Sequence, residues 1–184
     1  LIVEGFPSGI QYGSSSNGEV RLTNARVRYS DNSSRLFKNY TGSNRNIGNR
    51  EPEIGIQVSN ASTTMLDSLL IEEFLSGLII QNQDTLSIEV CEIKNCESAI
   101  VIDNVNENFL RYNTVYRDGE YYFQTDVPAI TISNSSSSYI GDNTIFGYLT
   151  GLSVENSPVD FTQNIIWSDN LLAEPIIDQT GLVN

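Results

Sequence analysis

One hexapeptide constrains this chain more than any other feature, because it recurs. Gly55-Ile56-Gln57-Val58-Ser59-Asn60 returns as Gly77-Leu78-Ile79-Ile80-Gln81-Asn82 and as Ala99-Ile100-Val101-Ile102-Asp103-Asn104. It returns again as Ala129-Ile130-Thr131-Ile132-Ser133-Asn134 and as Gly151-Leu152-Ser153-Val154-Glu155-Asn156. The copies start 22, 22, 30 and 22 residues apart. Each is a small residue, an alternating apolar run and an asparagine. Alternation with period two predicts a strand with one buried face. A fixed period of 22 predicts stacked repeats.

The rest of each repeat keeps register. With the first residue of each copy as position zero, position 11 holds Leu66, Ile88, Leu110 and Ile140, with Phe161 in a last repeat shorter by one residue. Position 14 holds Leu69, Cys91, Asn113, Asn143 and Asn164, and position 16 holds Ile71, Ile93, Val115, Ile145 and Ile166. Three short strands per repeat follow, each donating aliphatic residues to a common core. Stacked repeats place equivalent residues ~4.8 Å apart. The asparagines that close the motif tolerate the unusual backbone of a turn. Asn60, Asn82, Asn104, Asn134 and Asn156 are therefore expected to form an amide ladder.

Residues 55–170 are the regular part. Residues 1–54 read as irregular opening repeats followed by a long surface loop. Val20-Arg21-Leu22-Thr23-Asn24 matches the alternating-then-Asn pattern. A short strand over 25–29 would turn Arg21, Arg26 and Arg28 outward. Residues 30–53 are turn chemistry. The 30-residue spacing places a second insertion at about 118–128. Both insertions leave just before a copy of the motif, at one corner of the stack. Residues 171–184 form a tail or the start of a further repeat, Gly181-Leu182-Val183-Asn184. The opening Leu-Ile-Val-Glu shows no signal segment and reads as a piece of a longer protein.

The net charge is −13, unevenly spread. Residues 1–50 carry seven of the ten basic residues, and residues 51–184 carry twenty of the 23 acidic ones. A nucleic-acid partner is excluded, because the chain as a whole repels phosphate. The acidic surface serves solubility; a basic patch for an anionic ligand near the N-terminal end is the sharper alternative. No apolar run reaches the ~20 residues of a membrane span. Cys91 and Cys96 match no zinc spacing. They flank one short strand, which holds them too far apart to bridge, so buried free thiols are expected.

The period, the small-apolar-x-apolar-x-Asn strand and the later Asn113-Thr114-Val115, Asn143-Thr144-Ile145 and Asn164-Ile165-Ile166 resemble right-handed parallel β-helix repeats. These are the pectate-lyase-like solenoids of bacterial surface and secreted proteins. The resemblance covers residues 55–170 and extends to 10–29, and it implies an all-β fold: a right-handed single-stranded parallel β-helix of about 22-residue coils. It implies little about activity, since the fold hosts lyases, hydrolases, tailspikes, adhesins and spacers.

The chain has no histidine. That removes Ser-His-Asp triads, Cys-His pairs and His-ligated metals. A lyase site needs carboxylates for Ca²⁺ on one outward strip and an Arg or Lys base beside them. The outward residues of the repeated strand offer Asp103 and Glu155, two repeats apart, with no basic neighbour. No metal or other cofactor is expected, and Ca²⁺ is unsupported. Asp118 and Arg117, at the second insertion, are the weak catalytic candidates. Binding suits that loop better. Tyr121, Tyr122 and Phe123 supply faces for sugar rings, and Arg117 and Glu120 supply hydrogen-bonding groups. The first loop, with Tyr40, Arg45 and Arg50, would form an opposite wall.

The expectation is a non-catalytic segment of a bacterial surface or secreted protein. It would act as a stalk or adhesin touching polysaccharide or a surface glycan, within a longer protein. A polysaccharide lyase or glycoside hydrolase, or a fragment of one, is the alternative. A phage fibre or tailspike segment is the third reading.

Overall fold

A computed structural model describes residues 2–4, 8–13, 18–28, 54–118, 127–168 and 174–178. Every regular element among them is a strand. The sequence divides them into rungs. The first complete rung holds β2 (Ser8–Gly13), β3 (Glu19–Thr23) and β4 (Arg26–Arg28), preceded by β1 (Ile2–Glu4). The next holds β5 (Ile54–Ser59), β6 (Thr63–Asp67) and β7 (Leu70–Glu72). Two rungs follow with a long and a short strand each: β8 (Ser76–Glu89) with β9 (Glu92–Lys94), then β10 (Ser98–Arg111) with β11 (Thr114–Tyr116). Then come β12 (Ile130–Ser133), β13 (Ser137–Gly141) and β14 (Thr144–Phe146). The last full rung is β15 (Thr150–Glu155), β16 (Val159–Thr162) and β17 (Ile165–Trp167), and β18 (Glu174–Asp178) lies beyond it.

All pairing is parallel and runs from each rung to the next. One sheet has the order β1-β4-β7-β9-β11-β14-β17; the other runs β2-β5-β8-β10-β12-β15-β18, with the second strands paired alongside. Parallel strands need covered inner faces, and three apolar columns supply the cover. The first is Ile10, Ile56, Leu78, Ile100, Ile130, Leu152 and Ile176. The second is Leu22, Leu66, Ile88, Leu110, Ile140 and Phe161. The third is Val27, Ile71, Ile93, Val115, Ile145 and Ile166. Their middle members are fully buried, each worth about 1.5–3 kcal/mol.

The small residue that opens each motif has a steric cause. A Cβ on Gly55 would sit 2.6 Å from the Gly77 carbonyl oxygen of the next rung. The closing asparagine has a conformational cause. Asn60, Asn82, Asn104, Asn134 and Asn156 all have φ between 50° and 59°. Asparagine is among the few residues that enter this left-handed region readily. In two rungs the chain turns there without leaving the strand, so β8 and β10 each merge two expected strands.

Two sequence expectations change. Val20-Arg21-Leu22-Thr23-Asn24 is no copy of the motif strand: β3 pairs with β6, Leu22 opposite Leu66. The motif strand of that rung is Ser8–Gly13, with Ile10 opposite Ile56. Asn24 mimics the motif because it closes a different corner, also at positive φ (51°).

The expected amide ladder forms in part, and a continuous one lies elsewhere. In the expected column, Asn104 donates to Asn82 at 2.8 Å and Asn156 to Asn134 at 3.4 Å, but Asn134 also turns to Asp103. The continuous ladder is at position 14, inside the turn after the second strand. The Asn113 amide N–H donates to Asn143 Oδ1, and the Asn143 N–H to Asn164 Oδ1, each at 2.9 Å. Their side-chain amides donate to main-chain carbonyls at Ile88, Leu110 and Ile140. Asn113 and Asn143 are each 2% exposed. Buried backbone groups at a turn need partners, and these side chains provide them.

Asn143→Ala is expected to lower the unfolding free energy by about 3 kcal/mol, because it strands several buried polar groups. Asn156→Gly, at an exposed left-handed turn, is expected to stay within about 0.5 kcal/mol of the parent. Urea titration of both variants measures the difference.

Candidate functional site

The corner between the third strand and the next first strand is where the chain departs from its period. Strand β4 ends at Arg28 and β5 begins at Ile54; β11 ends at Tyr116 and β12 begins at Ile130. Along β11 the side chains alternate, so Val115 points in, Tyr116 out and Arg117 in. Arg117 is 4% exposed. Its Nε donates to the Cys96 carbonyl at 2.8 Å, and a terminal nitrogen donates to the Glu97 carbonyl. The guanidinium lies 4.1 Å over the ring centroid of buried Tyr148, whose hydroxyl donates to the same Cys96 carbonyl at 3.0 Å. Burial draws the Arg117 pKa down from its ordinary value and pushes the Tyr148 hydroxyl up. A guanidinium stays charged through such a change.

Arg117, a weak catalytic candidate and ligand contact by sequence, is placed inside the stack. Its donors are turned inward, onto two main-chain carbonyls of the preceding rung. Asp118 is exposed and pairs reciprocally with Asn95: its N–H donates to Asn95 Oδ1 at 3.1 Å, and Asn95 Nδ2 donates back to Asp118 Oδ2 at 3.3 Å. Together they pin the root of the second insertion. Glu120, Tyr121, Tyr122 and Phe123 lie outside the described residues, as do Tyr40, Arg45 and Arg50.

On the first-strand face, Asp103, Ser133 and Glu155 stand in consecutive rungs. Asp103 accepts from Ser133 Oγ at 2.8 Å and from Asn134 Nδ2 at 2.9 Å. Among the described residues no group of three or more carboxylate or thiol side chains is placed to hold a metal. No helix among them is long and apolar enough to cross a membrane.

The third-strand face carries an ion cluster that the repeat count did not reveal. Glu72 is 2% exposed and lies between Arg26 at 2.7 Å and Lys94 at 2.6 Å. Burial raises the Glu72 pKa, but hydrogen bonds from Lys94 and Arg26, with their charges, hold it below the ordinary 4.5. The Glu72 hydrogen bond raises Lys94 above 10.5. Further along this face the column becomes aromatic: Tyr116, Phe146 and Trp167 are successive partners, and the last two rings stack at 4.5 Å. The second-strand face groups Phe109, Arg111 and Tyr139. Writing out positions 10 and 12 of the repeat would have found that group. Position 17 likewise places Glu72 beside Lys94; Arg26 alone carries no such signal, because its rung lies outside the regular copies.

Cys91 and Cys96 are free and buried. Burial pushes their thiols up to about 11 and about 12. Nucleophilic work needs a thiolate, so neither is a nucleophile at neutral pH. Compared with known proteins, the chain matches no family model, no curated protein and no solved structure.

Two measurements check these assignments. Folded protein at pH 8 is expected to leave both thiols unreacted with a disulfide reagent, and the unfolded chain to titrate two. Glu72 has a depressed pKa, so its contribution is present above the unfolded carboxylate value and is lost as pH falls through the folded one. Lys94 has the opposite sign, and its share is lost as pH rises through its raised value. Glu72→Gln is therefore expected to lower the melting temperature at pH 7 and to flatten its decline below pH 4.5.

Proposed function

We propose that this chain is a segment of a right-handed parallel β-helix in a bacterial cell-surface or secreted protein. It serves as a rigid, non-catalytic stalk or adhesin. Its inserted segments contact a surface glycan or polysaccharide, and the rest of a longer surface protein flanks it. The observation that carries the reading is the coincidence of a strict rung-to-rung register with two long insertions at one corner. The insertions follow β4 and β11, three rungs apart in the same sheet, or ~14 Å along the stack. A stack that keeps its register holds such projections at fixed separation, as a binding scaffold requires. The inward Arg117 supports a holding role for that corner, because it ties the root of the second insertion to the rung before it.

The enzymatic alternative draws on exposed Asp118 at the same corner. A polysaccharide lyase or glycoside hydrolase would need a second group there. The experiment is a glycan array followed by a cleavage assay on each polysaccharide bound. Binding without release of new chain ends is the expected result. Release of chain ends that Asp118→Ala abolishes would establish the enzyme instead. A stable trimer by light scattering would favour the fibre reading.

A further inference from the structure

A second surface, away from the loop corner, carries the chemistry of a binding site. On the outward face of the second strands, Ser87, Phe109, Tyr139 and Asp160 are successive partners in one column. Glu89, Arg111, Gly141 and Thr162 form the column beside it. Gly141 has no side chain, and Tyr139 uses the space. A Cβ at Gly141 would lie 2.5 Å from the Tyr139 ring carbon Cε1 and from its hydroxyl. The ring therefore lies back along its own strand, across residue 141.

The Arg111 guanidinium sits 4.6 Å from the Tyr139 ring centroid and 6.0 Å from that of Phe109. Its Nε is shielded from solvent and has no hydrogen-bond partner. Rings hold this cation by attraction to their faces, although Glu89 stands next to it in the column. Exposed Glu107 and Asp160 lie on the same face. The strip thus combines a donor-only group, acceptor-only groups and two aromatic rings on adjacent rungs.

We propose that this strip binds a neutral hexose polysaccharide running along the stack over Phe109, Arg111 and Tyr139. A pyranose ring presents C–H groups that pack on aromatic faces. Each of its hydroxyls is both donor and acceptor, so it needs neighbours of both kinds. The charges disfavour an anionic chain, which meets Glu89, Glu107 and Asp160. The rung spacing of ~4.8 Å is close to the advance of one sugar in an extended β-linked chain. The inference rests on the glycan-contact reading but places the contact on the sheet face, independent of the inserted loops.

Calorimetric titration of the whole chain with neutral hexasaccharides of glucose, mannose and galactose, and with hexagalacturonate as the acidic control, tests it. At least one neutral hexasaccharide is expected to bind saturably, and hexagalacturonate is expected not to. Tyr139→Ala and Arg111→Ala are each expected to weaken binding roughly tenfold. Gly141→Ala keeps every side chain of the strip but displaces the Tyr139 ring, and is expected to weaken binding with the melting temperature unchanged. It also decides the matter if Arg111→Ala fails to fold. In the triple variant Tyr121→Ala, Tyr122→Ala, Phe123→Ala, which removes the proposed loop contact, the neutral hexasaccharide is expected still to bind saturably through the strip. Unchanged binding in the folded strip variants, or a preference for hexagalacturonate, overturns the strip. Loss only in the loop triple variant overturns the strip and leaves glycan contact through the loops standing. No binding of any glycan overturns both.

Discussion

Among the described residues, single residues in the left-handed backbone region recur between the strands of successive repeats. The first corner uses Asn60, Asn82, Asn104, Asn134 and Asn156. The second uses Asn24, Ser68, Val90, Tyr112, Asp142 and Gln163. Glu73, Asn95 and Gly147 serve the third. A single left-handed residue redirects a strand without adding length. The period therefore stays short, and equivalent residues meet their counterparts one rung on. Parallel pairing, apolar columns and the corner at which each insertion begins depend on that repeated geometry. Val90 shows how firmly it is imposed. A β-branched residue at φ 55° is strained, yet it keeps the corner, with its N–H bonded to the Arg111 carbonyl at 3.1 Å.

Polar groups inside and outside the stack are arranged by the same repetition. Position 14 begins with apolar Leu69 and Cys91 and becomes asparagine from Asn113 onward. Cys91 still donates its N–H to Asn113 Oδ1 at 2.9 Å, so the ladder extends one bond beyond its last amide side chain. Outside, successive rungs juxtapose charges or rings by register alone. Glu72 meets Lys94 and Phe146 meets Trp167 because each pair occupies one column. A stack of this kind converts a choice at one sequence position into a stripe on the surface, which is how the Phe109, Arg111 and Tyr139 group arises.

Much of this was legible in the sequence, and the reasons are specific. The motif strand carries a small residue, an alternation and an asparagine, each forced by a separate physical demand. The inward columns at positions 11 and 16 were legible because burial admits only apolar side chains there. The second corner was not legible, because Ser68, Val90, Tyr112 and Asp142 share a conformation and no side-chain chemistry. Asn24 misled for the same reason: it bears the signature of the first corner while closing the second. The position-14 ladder was read as a family mark, since spacing does not tell a buried amide from an exposed one. Arg117 looked available because charged residues beside insertions usually are. Its inward direction follows from strand alternation after Tyr116, and the Cys96 and Glu97 carbonyls and the Tyr148 ring help make that burial tolerable.

The most direct test of in-register stacking is oxidative cross-linking of cysteine pairs on the first-strand face. Gln57 lies opposite Ile79 on the next rung, within the ~4.4–6.8 Å that a disulfide spans. Gln57→Cys with Ile79→Cys is expected to form a disulfide on mild oxidation of the folded protein. Gln57→Cys with Gln81→Cys, one step off diagonally at ~7–8 Å, is expected not to. Equal cross-linking of both pairs, or of the second pair alone, would contradict the register on which the fold rests.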